Sequence, residues 1–90
     1  MRRKTRQYRY KIGAYVRFSE PCLNSAWNRS SKNDEFYHIN KTDYGLIVDS
    51  VIDMWGVKVY NRYGNKKFIH TFYEYELRLM TKEEAMIHQL

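Results

Sequence analysis

Three apolar runs follow one another between residues 44 and 73, and their spacing leaves little room for a helix. "YGLIVDSVI" (44–52) is rich in aliphatic and β-branched residues. Asp53-Met54 separates it from "WGVKVY" (55–60), where Trp55, Val57 and Val59 alternate with Gly56, Lys58 and Tyr60. "NRYGN" then places Gly64 where a hairpin needs a positive φ. "KKFIHTFY" (66–73) closes the set with aromatic and β-branched residues. Period-two alternation is the spacing of a strand with one face buried. The short breaks imply antiparallel neighbours. The phase of the first run stays open because Leu46, Ile47 and Val48 are consecutive; Asp49 and Ser50 mark a bend.

A fourth strand is expected upstream. In "KIGAYVRF" (11–18), Ile12, Ala14, Val16 and Phe18 share one face, and Lys11, Gly13, Tyr15 and Arg17 the other. It ends at Ser19-Glu20-Pro21, since proline cannot donate to a ladder. Residues 19–43 form a long connection whose middle, Asn28 to Asp34, is polar and turn-forming. Connections this long without structure of their own are uncommon. This one carries Leu23, Trp27, Phe36, Tyr37 and Ile39. Two readings compete: Trp27 and Phe36 fold back as a lid on the core, or Trp27, Phe36 and Tyr37 stay exposed as a partner-contact surface. A short strand over 35–39 also fits. Near the end, Thr81-Lys82-Glu83-Glu84 has the form of a capping box, in which the Thr81 hydroxyl accepts from the Glu84 N–H and the Glu84 carboxylate reaches back. It predicts a short helix over 81–90.

Ninety residues support one domain with a thin core, and nine tyrosines supply large amphipathic rings to build it. Charge is distributed unevenly. Arg2, Arg3, Lys4, Arg6, Arg9, Lys11 and Arg17 give the first seventeen residues +7 with no acid, whereas the remainder sums to −1, for a net +6. Residues 1–10 therefore read as a basic N-terminal arm. Cations so close together repel unless an anionic partner screens them. The arm interleaves charge with rings, Arg6, Tyr8, Arg9, Tyr10 and Lys11, a pattern suited to neutralising phosphates while tyrosines stack on unpaired bases. A second basic group, Arg62, Lys66 and Lys67, flanks the Gly64 turn beside Tyr60 and Tyr63. Its bland alternative is a solvated tip guarding an edge strand.

Several classes find no support. No hydrophobic run approaches the length of a membrane span, and the basic start lacks the apolar segment of a secretory signal. A single cysteine, Cys22, allows no internal disulfide and suits a reducing cytoplasm. Cys22, His38, His70 and His88 lack metal-ligand spacing, and no Gly-rich phosphate loop or nucleophile–base pair is present. Paired acids such as Glu74 and Glu76 read as solvated. No cofactor, metal or catalytic residue is expected.

Taken in order, "KIGAYVRF", a long loop, "YGLIVDSV", "WGVKVY", a Gly turn and "FYEYELRL" resemble the SH3-like small barrels, in particular the KOW type. Gly13, Val16, Gly45, Ile47, Val57, Val59 and Leu77 occupy the matching places over residues 11–80. The resemblance implies a mostly β barrel of about five strands. It also implies a binding module that meets RNA, DNA or protein through loops and exposed aromatics, and not an enzyme. The expectation is a nucleic-acid-binding module, RNA ahead of DNA, with the arm on phosphates. Its rival is a protein-interaction or assembly module, such as a viral or phage accessory protein docking on a larger protein.

Overall fold

A computed structural model describes residues 10–34, 36–81, 83 and 84. The protein is mostly β. Five strands, β1 (Tyr15–Phe18), β2 (Tyr44–Val51), β3 (Met54–Tyr60), β4 (Lys66–Tyr73) and β5 (Leu77–Leu79), form one antiparallel sheet in the order β4-β3-β2-β1-β5. The hydrogen-bonded ladder is open, with β4 and β5 at its edges. The β2–β3–β4 meander is the one the alternation predicts, and β4 spans the anticipated residues.

The core lies on the inner face of the sheet. Val16, Ile47, Val57 and Val59 are fully buried there, joined by Phe18, Trp55, Phe68, Phe72 and Leu77. β3 alternates as expected, with Val57 and Val59 inside and Lys58 half-buried on the other face. Gly45 permits the tightest crossing. A Cβ there would lie 2.4 Å from Val57 Cγ1 and 3.2 Å from both Phe18 and Val16 side chains, so β2 approaches β1 and β3 only because this position is bare.

Two bulges resolve what the sequence left open. In the β2–β3 ladder the pairing passes from Ile47↔Val57 to Asp49↔Gly56, skipping Val48. A bulge of this kind flips the phase of the strand; of the three consecutive apolar residues only Ile47 is buried, with Leu46 and Val48 half-buried. In the β3–β4 ladder it passes from Val59↔Phe68 to Tyr60↔Lys66, skipping Lys67.

The first strand is shorter than its alternation suggests. Gly13 adopts φ +96°, and Ala14 N–H closes a turn onto the Lys11 carbonyl at 3.0 Å. The turn throws Ile12 outward, where it is 62 % exposed instead of joining Val16 and Phe18. Tyr10 takes the inward place. It is buried, its ring meets Trp55 edge-on at 5.8 Å, and its hydroxyl donates to the Leu77 carbonyl at 2.7 Å. The ordered core therefore reaches back into what the charge pattern marks as arm.

Two short helices form in the first half of the long connection, where a loop was expected. α1 (Glu20–Leu23) starts with Pro21 in its first turn, where a missing N–H costs nothing. α2 (Ala26–Ser30) is capped by Ser25, whose hydroxyl accepts from Asn28 N–H at 3.1 Å. The anticipated strand over 35–39 does not form among the described residues; 36–39 run as turn and irregular chain. Asn28 pins this segment. It is buried, its amide donates to the Leu23 and Ile39 carbonyls, and its carbonyl accepts from Ile39 N–H at 2.7 Å. A single 3-10 turn, Glu74–Glu76, joins β4 to β5. At the far end the capping box forms in both directions: Thr81 N–H donates to Glu84 Oε1 at 2.8 Å, and Glu84 N–H to Thr81 Oγ1 at 3.1 Å. Most of the helix expected over 81–90 lies outside the described residues.

Candidate nucleic-acid interface

The outer face of the sheet carries a different chemistry from the core. Tyr15 and Arg17 on β1, Tyr44 and Leu46 on β2, and Lys58 and Tyr60 on β3 project there by strand alternation. Tyr44 and Tyr60 are directly paired across strands and stack, with centroids 5.3 Å apart and planes 12° from parallel. Tyr15 tilts against Tyr44 at 6.1 Å. Burial raises the Tyr44 pKa, the neighbouring Tyr15 and Tyr60 phenols add to the rise, and the charge of Arg17 opposes it. The Tyr44 phenol therefore stays neutral at physiological pH.

Beside the rings lies an open cleft of about 630 Å³ lined by Arg17, Lys41, Arg62, Arg78, Glu20 and Glu84, among others. Its four cations come from four separate places: β1, the long connection, the β3–β4 hairpin and β5. Arg17 is held from behind. Its Nη1 donates to the Thr42 carbonyl at 2.9 Å and the Asp43 carbonyl at 3.2 Å. Arg62 leaves the hairpin tip beside Tyr63, donating to that hydroxyl, with its guanidinium 4.8 Å from the ring centroid. The tip is built by Asn61, whose side-chain oxygen accepts from Tyr63 and Asn65 N–H, and by Gly64 at φ +85°.

The residues singled out from sequence divide among several environments. Arg2, Arg3, Lys4, Arg6, Tyr8 and Arg9 lie outside the described residues. Tyr10 is a core residue, as above, and its ring is not offered to a base. Lys11 is exposed. Arg62, Tyr63 and Lys66 are exposed on the hairpin. Lys67 is not: the bulge turns it inward, and its Nζ pairs with Asp43 Oδ2 at 2.7 Å and donates to the His38 carbonyl, with both charged side chains almost fully buried. It fastens the long connection to the hairpin and is removed from the binding set.

Trp27 is neither a full lid nor a free contact. On α2 it stacks flat on His70, 5.0 Å away at 9°, and touches Phe68, while remaining 38 % exposed. Tyr37 tilts against Phe68 at 5.7 Å and is otherwise exposed. Phe36 is exposed and lines a second, smaller hollow with Asn40, Asn61, Asn65, Lys66 and Lys67, so the long connection and the hairpin do meet. Sequence reasoning missed Arg17, Lys41, Arg78, Tyr15 and Tyr44 as members of one surface. Each is unremarkable locally, and only the strand-1 alternation, which turned Tyr15 and Arg17 to the same side, pointed toward them.

Burial, with Glu76 nearby adding to it, pushes the Cys22 thiol up to about 12, so it is protonated and inert as a nucleophile. Among the described residues no group of three or more His, Cys, Asp or Glu side chains could hold a metal ion, and no helix is long and apolar enough to cross a membrane. No protein-family model, curated protein or solved structure matches the chain.

Proposed function

We propose that this protein is a nucleic-acid-binding module on an SH3-like small-barrel framework, a binder and not an enzyme, favouring single-stranded RNA over DNA. The observation that carries the reading is the convergence of Arg17, Lys41, Arg62 and Arg78 on one open cleft next to the Tyr15–Tyr44–Tyr60 rings. Guanidinium and ammonium groups neutralise phosphates, and neighbouring aromatic faces suit unstacked bases. The basic arm adds charge for long-range capture. Support for the barrel framework comes from the strand order, in which β1 lies between β2 and β5, and from the "ELRL" segment that returns beside β1 after a short turn.

Fluorescence anisotropy with labelled oligouridylate and oligothymidylate across a salt series tests this reading. Binding is expected to weaken with salt, by a slope of about 0.7 per phosphate contact on a single strand. The Lys41→Ala/Arg62→Ala double variant is expected to lose affinity and flatten that slope while keeping its melting temperature. A salt-independent response, or full binding by that variant, contradicts the reading.

The rival role, docking on another protein, draws on a separate observation. The β2–β3 turn exposes Val51 and, at 88 %, Ile52. A pull-down split with and without nuclease separates the two: a protein partner retained through nuclease and high salt favours the rival.

A further inference from the structure

Arg17 and Arg78 are directly paired residues of neighbouring strands, β1 and β5. Like charges in that position repel, and the sheet tolerates them here through one carboxylate. Glu84 Oε2 lies 3.3 Å from Arg17 Nε and 3.3 Å from Arg78 Nη2, and its Oε1 is 3.3 Å from Arg78 Nη1. These separations exceed the roughly 2.7–2.9 Å of a tight charge-assisted bond. One carboxylate is shared between two guanidinium groups, two-pronged on Arg78 and by a single contact on Arg17. Glu84 does not belong to the sheet. It follows β5, held by its own capping exchange with Thr81. Arg17 is fixed from behind by two carbonyls, so its own place on the sheet does not depend on Glu84. Arg78 is half-exposed, and both arginines open on the cleft that also holds Lys41 and Arg62.

We infer that the Arg17–Arg78 pair is a phosphate-binding fork for the nucleic-acid backbone, and that Glu84 is an internal stand-in anion that a phosphodiester displaces. The inference rests on the proposed binding function. Two planar guanidinium groups side by side present enough donors to engage both non-bridging oxygens of a phosphodiester at once. Removing the Glu84 charge takes away the anion that Arg17 and Arg78 share. With Glu84 in place, the entering phosphate must compete with a tethered anion, which lowers affinity and hides one contact from the salt dependence.

The test uses Glu84→Gln in the full chain, because glutamine retains the capping exchange while losing the charge. Binding of labelled oligouridylate is measured by anisotropy across salt. Glu84→Gln is expected to tighten binding about fivefold, the scale of two partly exposed ion pairs, and to steepen the salt slope by about 0.7. Glu83→Gln, with the same change in net charge, is expected to stay within about twofold of the unaltered protein. Arg78→Gln added to Glu84→Gln should erase the gain. In the unaltered protein, the Arg17 and Arg78 Nε–H resonances should shift as oligouridylate is titrated, an arm that does not depend on any variant folding. Unaltered binding by Glu84→Gln, an equal gain from Glu83→Gln, or arginine resonances unmoved at saturation each overturn the fork while leaving the binding function standing. No binding of oligonucleotide by either the unaltered protein or Glu84→Gln removes the function itself, and the fork with it.

Discussion

The two faces of this sheet are made from the same strands and obey different physics. On the inner face Val16, Ile47, Val57 and Val59 are sealed from water, and each position contributes by apolar burial. On the outer face Tyr15, Arg17, Tyr44, Lys58 and Tyr60 keep rings and charges side by side, half-buried at most of these positions. A cation there keeps part of its access to water. Lys67 shows what happens when a cation crosses over: a one-residue bulge moves it from the hairpin surface into a buried pair with Asp43, and it becomes structural. Side of the sheet, more than residue type, decides what a charge does.

The sharpest way to break that contrast is to put a charge on each face of β3. Val57→Asp and Val59→Asp each place a carboxylate in a site with no partner, a cost of several kcal/mol that should abolish the folded state. Lys58→Asp, one residue away on the outer face, should move stability by about 0.5 kcal/mol or less. Thermal melts followed by circular dichroism decide it. If Lys58→Asp is the damaging change, the assignment of faces is reversed.

Next in size is the pair of cations on the β3–β4 hairpin. Lys67→Ala strands the buried Asp43 carboxylate and should cost about 3 to 5 kcal/mol in chemical denaturation. Arg62→Ala should leave stability nearly unchanged and weaken oligonucleotide binding instead. Equal and small stability losses for both would show that the Lys67–Asp43 pair is open to water.

The two hairpin turns extend the comparison. Gly64 at φ +85° is the residue a positive φ favours, whereas the β2–β3 turn places Ile52, β-branched and exposed, at φ +51°. A left-handed conformation costs such a residue about 1–2 kcal/mol, and its side chain recovers little by burial. Ile52→Gly should therefore raise the midpoint of unfolding by an amount equivalent to about 1 kcal/mol. If that variant is no more stable, the strain is absent. If it is more stable but loses a protein partner, the isoleucine is retained for contact.

The smallest expected effect is on pH. The hydrogen bond from Arg78, with the Thr81 N–H bond second, holds the Glu84 carboxyl down to about 2. In the unfolded chain it titrates near its ordinary value of about 4.3. A depressed folded-state pKa stabilises above the unfolded value, and that stabilisation is lost as pH falls through the folded one. The melting-temperature gap between the unaltered protein and Glu84→Gln should accordingly be constant near neutrality and close between those two pKa values. A gap that widens with acid would mean the carboxylate is not held by the arginines.

Much of the fold was legible because its signals are local. The alternation in "WGVKVY", the aromatic and β-branched run "KKFIHTFY", the Gly64 turn and the Thr81–Glu84 cap each depend on residues within a few positions, and each formed as read. The failures share a cause. Ile12 fits the alternation of Val16 and Phe18, but Gly13 turns the chain and Tyr10 replaces it inside. Asn28 heads a run that looks like solvated loop, yet its amide matches three backbone groups of Leu23 and Ile39 and makes it a core staple. Short helices in residues 20–30 carry too few turns to leave a periodic trace.

By itself the sequence determined the antiparallel meander, the inward set on β3, the hairpin at Gly64 and the segregation of positive charge toward the N-terminus. These follow from side-chain alternation, backbone preference and the count of charges, none of which requires knowing what lies across the fold. Tertiary structure alone decided which cations share an open cleft and which are buried in a pair. Arg17, Lys41, Arg62 and Arg78 share a cleft although they are far apart in the chain, and Lys67 pairs with an acid twenty-four residues away. Register and bulges set those meetings. The energy of a charge depends on its neighbours in space and on its access to water, and both are properties of the folded chain.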